Sequence, residues 1–251
     1  MQYNERLTDN LLLRMTPSAG LDTVGFGLGN TWKFPQRFWL YELRSDLLWE
    51  VGDTLTIRPG VDFLGGPYEV GIKIPDSPES FANPDPLAER EDAEFTFDGT
   101  LFAADPFIEA WIKPFKGTDK LNLVPGLRFN SLFMPKYTIT SFDPRFSARF
   151  KPWESTTFKG GTGIYHQIPQ GPDLGFNEDD VQVDFERSWS NEVGVEHAFS
   201  EAIETDITLF HKKLSDLIVE NPDLESDADP FFINAGEGRV RGLELMLRHN
   251  P

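Results

Sequence analysis

An all-β fold, an antiparallel up-and-down transmembrane β-barrel present as an incomplete arc of about eleven strands, is predicted by three features of the sequence. Apolar and polar residues alternate along nearly the whole chain, and successive side chains of a strand point to opposite faces. The alternating stretches run to about twice the five or six residues of an ordinary strand. Short connections alternate with longer ones, as periplasmic turns alternate with extracellular loops in outer-membrane barrels. No stretch of comparable length sustains a 3.6-residue period.

The first strand is expected over 5–16, with a turn at "SAGL" (18–21), and the second over 22–32. There Val24, Phe26 and Leu28 oppose Gly25, Gly27 and Gly29, so these glycines are expected to face the lumen. The run is Gly-x-Gly-x-Gly inside a strand with no helix after it, which leaves no helix N-terminus for a nucleotide phosphate. The third strand, 37–50, follows the short connection "KFPQ" (33–36) and carries "WLYELRSDLLW". Trp39, Tyr41, Leu43, Leu47 and Trp49 share one face against Glu42, Arg44 and Asp46. The two tryptophans are about 33 Å apart at roughly 3.3 Å per residue. A tilt of about 45° turns this into a rise of about 23 Å, close to the roughly 25 Å apolar band between aromatic girdles.

After "VGDT" (51–54), the fourth strand, 54–65, sets Leu55, Ile57, Pro59, Val61 and Phe63 against Thr54, Thr56, Arg58, Gly60 and Asp62. A long acidic connection from Gly65 to Ala93 leads to a fifth strand over 94–114 and, past "KGTD" (116–119), a sixth over 120–133. The brief "MPKY" (134–137) precedes the seventh, 139–151, where Phe146, Ala148 and Phe150 oppose Arg145, Ser147 and Arg149. "WEST" (153–156) opens the eighth, 156–168, and a long loop, 169–186, leads to the ninth, 187–199. "SEAIE" (200–204), a tenth strand over 205–219, an acidic loop (221–232) and an eleventh strand over 233–249 complete the series. In the last, Leu243, Leu245 and Leu247 oppose Gly242, Glu244 and Arg248 and are expected to face lipid. Both terminal strands then descend towards the periplasm. Pro59, Pro125 and Pro144 lie within strands, where each removes a ladder hydrogen bond and calls for a bulge or another local irregularity.

Composition narrows the function classes. Of 251 residues, 39% are hydrophobic and 22 are Phe, which suits β structure with broad exposed faces. The net charge of −18 repels nucleic-acid phosphates, so no nucleic-acid partner is expected. The absence of cysteine excludes disulfides and thiolate metal sites. No window approaches the roughly 18 apolar residues of a membrane helix, a test that cannot see a β-barrel.

Two stretches carry a resemblance. "DPRFSARFKPWESTTFKGGTGIYHQIPQ" (143–170) reads as a Pro-Arg strand opening, a short turn and a Gly-rich strand ending in Tyr-His-Gln before a loop. "SWSNEVGVEHAFSEAIETDITLFHKKLSDLIVEN" (188–221), followed by "NAGEGRVRGLELMLR" (234–248), reads as serial hairpins with an Asn-Ala-Gly lead-in and a Gly-Leu-Glu-Leu strand. With the Pro-Gly openings "RPGVDF" (58–63) and "VPGLRFN" (124–130), this series resembles the TonB-dependent outer-membrane receptors over most of residues 50–251. The resemblance implies a bacterial outer-membrane location and active uptake of a scarce nutrient such as a ferric siderophore, cobalamin or glycan. It implies as partners outer-membrane lipid, a small-molecule nutrient such as a metal chelate, and the energy-coupling TonB complex, engaged through N-terminal regions. Such receptors have a plug domain and about 22 strands. The chain is therefore expected to be a partial barrel domain, 1–251, lacking the plug and the C-terminal strands.

The resemblance also implies that Tyr165, His166 and Gln167, which end the Gly-rich strand below a long loop, face substrate at the outer mouth. The plainer reading is a girdle tyrosine followed by polar loop residues. His166, His197, His211 and His249 show no metal-ligand spacing, and His197 and His211 are expected at the membrane interface near strand ends. Glu178, Asp179 and Asp180, and the run from Asp223 to Asp229, lack a calcium-loop pattern and read as solvated loops. No nucleophilic triad is visible, so no catalytic, metal or cofactor site and no enzyme activity are expected. The competing readings are a passive channel (a porin or long-chain-substrate transporter), a soluble β-rich binding module and an outer-membrane enzyme.

Overall fold

The computed structural model of the protein describes residues 2–28, 32–74, 93–135, 137–169, 183–223 and 230–249. These form one sheet of eleven strands, each paired antiparallel with the next in chain order. They are β1 (Tyr3–Thr8), β2 (Leu11–Leu28), β3 (Trp32–Val51), β4 (Leu55–Ile74), β5 (Ala93–Ile112) and β6 (Leu121–Phe133), then β7 (Thr138–Trp153), β8 (Thr156–Gln167), β9 (Glu186–Ala198), β10 (Ile203–Glu220) and β11 (Phe232–His249). Strand number, order and direction match the expectation. The acidic clusters at 178–180 and most of 223–229 lie outside the described residues, as does Gly29.

Three boundaries differ from the expectation: "KFPQ" (33–36), expected as a connection, lies inside β3 and pairs with Gly27 to Val24 of β2, and two others differ for physical reasons. Ser18-Ala19-Gly20-Leu21 has the composition of a turn, yet β2 runs straight through it. Ser18 and Gly20 stay in register with Glu42 and Leu40 of β3, and Ser18 Oγ donates to Glu42 at 2.7 Å. The turn falls instead at Asp9-Asn10, residue types that hydrogen-bond their own backbone. Here the Glu50 amide of β3 donates to the Asn10 carbonyl at 2.9 Å. The second boundary is Gly65-Gly66-Pro67, expected to end a strand. β4 instead continues to Ile74, paired with Ala93.

Close approach explains these glycines. A Cβ on Gly65 would stand 2.6 Å from Phe102 Cα, and one on Gly66 would run into the Trp39 carbonyl. Gly65→Val is therefore expected to destabilise the sheet by about 1–3 kcal/mol, the usual cost of overpacking. A lowered midpoint in a heat-modifiability gel would show it, and an unchanged midpoint would count against the close approach.

Pro59, Pro125 and Pro144 need no bulge. The β3–β4 ladder keeps one register throughout but lacks the pairs around Pro59. The β5–β6 ladder is likewise interrupted beside Pro106 and Pro125, and the β7–β8 ladder stops at Arg145–Gly163, just before Pro144. Each proline sits where one neighbouring ladder is open, so its missing N–H breaks no ladder bond there.

Contacts that skip a strand identify the concave face. Arg128 of β6 reaches Asp62 of β4, Arg149 of β7 reaches Glu196 of β9, and Lys159 of β8 reaches Asp206 of β10. Strands two apart lie about 10 Å from one another, so such pairs form where curvature brings side chains together. The other, convex face carries Tyr41, Val193, Leu209, Leu243, Leu245 and Leu247, all exposed. Trp49, Trp153 and Phe199 stand exposed at the short-turn end, and Trp189 in the upper part of β9.

The phase of β2 is set by Arg14, which pairs with Asp46 on the concave side. Val24 and Phe26 share that parity, and Gly25 takes the convex one, opposite to the expectation. Gly25 lies about 35 Å above the Asp9-Asn10 turn by rise and tilt, beyond the apolar band, where outward residues need not be apolar.

Few apolar side chains are buried. Ala103, Leu132, Ile139 and Phe185 form one cluster at the long-loop end of the concave face.

Candidate concave-face binding site

The concave face is built from charge. Asp46, 4% exposed, accepts from Arg14 at 2.6 Å and Arg58 at 3.1 Å, and Arg58 continues to Glu109 at 3.5 Å. Beside this row, Arg44 pairs with Asp62 at 2.7 Å. Arg128 joins Asp62 at 2.7 Å to Asp105 at 2.8 Å, while its Nε donates to Asn130 at 2.9 Å. Alternation explains the placement: Arg14, Arg44, Asp46, Arg58, Asp62, Asp105, Glu109 and Arg128 all take the inward parity of their strands. Ion pairs with several hydrogen bonds offset the desolvation that half-buried charges suffer.

Above this network lies a cavity of 430 Å³. Its walls are Asp105, Arg128, Asn130 and Ser131 on one side, Asp143 and Arg145 at the centre, and Tyr165, His166, Gln167 and Phe185 on the other. Two Asp-Pro pairs shape it. At Asp105-Pro106 the carboxylate accepts the Ser131 amide at 3.0 Å, and the Ser131 hydroxyl donates to the Ala104 carbonyl. At Asp143-Pro144 the carboxylate accepts the His166 amide at 3.3 Å and lies 2.5 Å from His166 Nδ1. Each aspartate thus takes over a backbone donor where proline has opened the ladder.

The second pair turns His166 out of strict alternation. Pairing with β9 sets Ile164 opposite Trp189 and His166 opposite Arg187, the outward parity. Yet the His166 ring meets buried Asp143 and packs edge-on against Phe185 at 6.1 Å. Phe185, buried and preceding β9, lines the cavity beside His166.

Arg145 is the central cation. Gly126 and Gly163 flank it in register on the two neighbouring strands, and a Cβ on either would come within 3.1 Å of its stem. These glycines make a slot in which the guanidinium lies 5.2 Å from the Tyr165 ring centre, a cation–π contact. Arg145 Nε is buried without a hydrogen-bond partner, and among the described residues Arg145 has no ion pair.

The structure therefore brings Tyr165, His166 and Gln167 to one cavity wall, with His166 engaged by Asp143. Sequence reasoning missed Asp105, Arg128, Asp143, Arg145 and Phe185. The available signal was Asp-Pro twice inside strands, at 105–106 and 143–144.

The sequence matches the family described as TonB dependent receptor-like, beta-barrel, over residues 2–250. The chain belongs to the TonB-dependent receptor family. Such barrels are outer-membrane proteins of Gram-negative bacteria, so the concave face is lumen wall and the convex face meets lipid. Solved receptors share the fold. The siderophore receptor PiuA from Acinetobacter baumannii aligns with a TM-score of 0.73 at 14% identity, over 99% of this chain and 43% of its own. FpvA of P. aeruginosa, solved bound to heterologous pyoverdines, gives 0.73 at 12% identity, over 99% and 37%. The ferric-catecholate import receptor Fiu of E. coli K12 gives 0.64 at 11% identity, over 99% and 44%. The chain thus spans less than half the length of these TonB-dependent receptors. No curated protein matches it in sequence.

Within the receptor barrel, the hairpins between strands place their titratable groups outside the membrane. At the periplasmic turn after β5, the Lys113 ammonium donates to Asp119 and holds its carboxyl below the usual carboxylate range. At the extracellular turn after β6, burial, aided by the charges of Asp184 and Tyr68, pushes the Tyr137 phenol up. Tyr137 is therefore expected to stay neutral at pH values that ionise exposed tyrosines, and ultraviolet absorbance titration of wild type against Tyr137→Phe would reveal it as a late-titrating phenol.

Proposed function

We propose that this chain forms barrel wall and part of the outer mouth of a receptor that takes up a scarce nutrient, with a metal chelate such as a ferric siderophore favoured over cobalamin or a glycan. Further strands complete the barrel, a plug fills it, and the TonB complex supplies energy through regions outside this chain. The carrying observation is the cavity beside Tyr165, where the Arg145 guanidinium, without an ion pair among the described residues, lies against an aromatic ring. An unpaired guanidinium in a partly desolvated wall attracts anionic groups, and the Tyr165 ring adds a flat apolar surface, a combination suited to a chelate that is both charged and aromatic or apolar. Tyr165 and Gln167 contact the ligand in this reading, and His166, held by Asp143, positions them. The reading includes no catalytic step.

The test is binding of iron-55 chelates (a tricatecholate, a trihydroxamate and citrate) to cells that express the intact receptor. At least one chelate is expected to bind, and Tyr165→Ala together with Gln167→Ala is expected to weaken it about tenfold, or roughly 1.4 kcal/mol. Uptake should cease when the proton gradient is collapsed. Uptake that persists would support a passive channel, and binding of none of the chelates would overturn the substrate class.

A further inference from the structure

The convex face holds a group of cations that the protein itself does not neutralise. Lys213 of β10 stands directly opposite Arg239 of β11, and His211 stands opposite Arg241. All four take the parity of the exposed Leu243, Leu245 and Leu247 and so point away from the lumen. Lys213 and Arg239 are like charges directly opposite one another, which destabilises the antiparallel pair. Among the described residues, Lys213, Arg239 and Arg241 form no ion pair and no hydrogen bond from their side chains. Glu237, one outward position above Arg239, forms none with them either. His211 Nε2 is buried without a partner. In a chain with net charge −18, such a grouping is not a general feature of the surface.

Depth gives it a meaning. Lys213 lies ten residues above Ile203, where β10 begins. At about 3.3 Å per residue and a tilt of about 45°, this is a rise of about 23 Å, the upper edge of the roughly 25 Å apolar band. Trp189, exposed and in register with Lys213 on β9, marks the same level as an upper girdle residue. Below the cations the outward positions are Leu209, Ile207, Thr205 and Ile203 on β10 and Leu243, Leu245, Leu247 and, at its end, His249 on β11, all but Thr205 and His249 apolar. Lys213 and Arg239 therefore sit where outer-leaflet headgroups begin, Arg241 lies about 5 Å lower with a side chain long enough to reach that level, and the leucines lie among acyl chains.

We propose that Lys213, Arg239 and Arg241 form a binding site for the phosphate groups of an outer-leaflet glycolipid, whose acyl chains lie along the leucine stripe beneath. Two guanidiniums and an ammonium on adjacent strands offer parallel donors to phosphate oxygens, and the phosphate removes the cross-strand repulsion. The site rests on the outer-membrane location and not on the uptake proposed above.

The experiment is native mass spectrometry of the intact receptor in detergent, with lipid A bisphosphate, its dephosphorylated form and inorganic phosphate as probes. Wild type is expected to retain the bisphosphate, to retain the dephosphorylated lipid about tenfold less, and to keep the bound lipid in millimolar phosphate. The variant Lys213→Gln/Arg239→Gln/Arg241→Gln is expected to lose about tenfold in bisphosphate retention, whereas Lys212→Gln/Arg248→Gln, which removes two charges from the lumen face, retains it. Equal retention of the two lipids by wild type overturns the site without any variant. Equal loss in both variants, no loss in the triple variant, or complete displacement by free phosphate overturns it as well.

Discussion

Replacing Arg128 by alanine in the intact receptor is expected to cost about 3–5 kcal/mol of barrel stability, the usual result of leaving half-buried charges without their partner. Arg128 is the junction of the lumen network, holding Asp62 of β4, Asp105 of β5 and Asn130 of its own strand. Its loss is not shared equally between the two carboxylates. Asp62 keeps Arg44 at 2.7 Å, but among the described residues Asp105 keeps only the Ser131 amide at 3.0 Å. A second substitution separates these contributions. Arg128→Ala/Asp105→Asn should recover more stability than Arg128→Ala/Asp62→Asn, with coupling of about 0.5–3 kcal/mol. Urea unfolding in micelles, followed by tryptophan fluorescence, measures all of these. A single-variant loss below about 1 kcal/mol, the range of exposed pairs, would show that water and not Arg128 satisfies the lumen carboxylates.

The same network shows where sequence reading succeeds and where it stops. Alternation is a local property, so the number of strands, their order and the outward phase of Tyr41, Phe63, Phe146 and Leu243 could be read from neighbours two residues apart. The Arg128–Asp62 pair joins residues 66 apart, and only curvature across β5 brings them together. Turn composition misled at Ser18-Ala19-Gly20-Leu21, because eighteen registered pairs between β2 and β3 outweigh the local preference of four residues. The parity of Gly25 failed for a related reason. An apolar residue faces lipid only within the band, and β2 extends beyond it. At the candidate site the grouping of Tyr165, His166 and Gln167 was legible as the end of one strand. That His166 would turn to Asp143 was not, because it depends on Pro144 opening the ladder of a neighbouring strand.

The membrane assignment of the convex face makes the other large prediction. Leu243→Arg is expected to cost about 2–4 kcal/mol and to prevent most of the receptor from reaching the outer membrane, since a cation at the bilayer midplane of a barrel carries that penalty. Leu243 is paired with Leu209, six residues above the start of β10, which by rise and tilt is about 14 Å into a band of roughly 25 Å. Leu243 is also 63% exposed, so no protein packing confuses the measurement. Two neighbours serve as controls. Glu244→Arg changes the adjacent residue on the lumen parity, where water and plug meet the wall, and should assemble normally. Arg241, one outward position higher, is already a cation near the interface, where the penalty falls to about 0–1 kcal/mol. Leu243→Arg/Arg241→Leu keeps the charge count while moving the cation deeper, and should assemble as poorly as the single variant. Heat-modifiable band intensity in outer-membrane fractions reads each case. Normal assembly of Leu243→Arg alongside failure of Glu244→Arg would mean that the faces of β11 are reversed, with the leucine stripe packed inward and the charged stripe against lipid. That outcome would remove the glycolipid site, because it depends on the phase of β10 and β11 that the strand-skipping Lys159–Asp206 pair establishes.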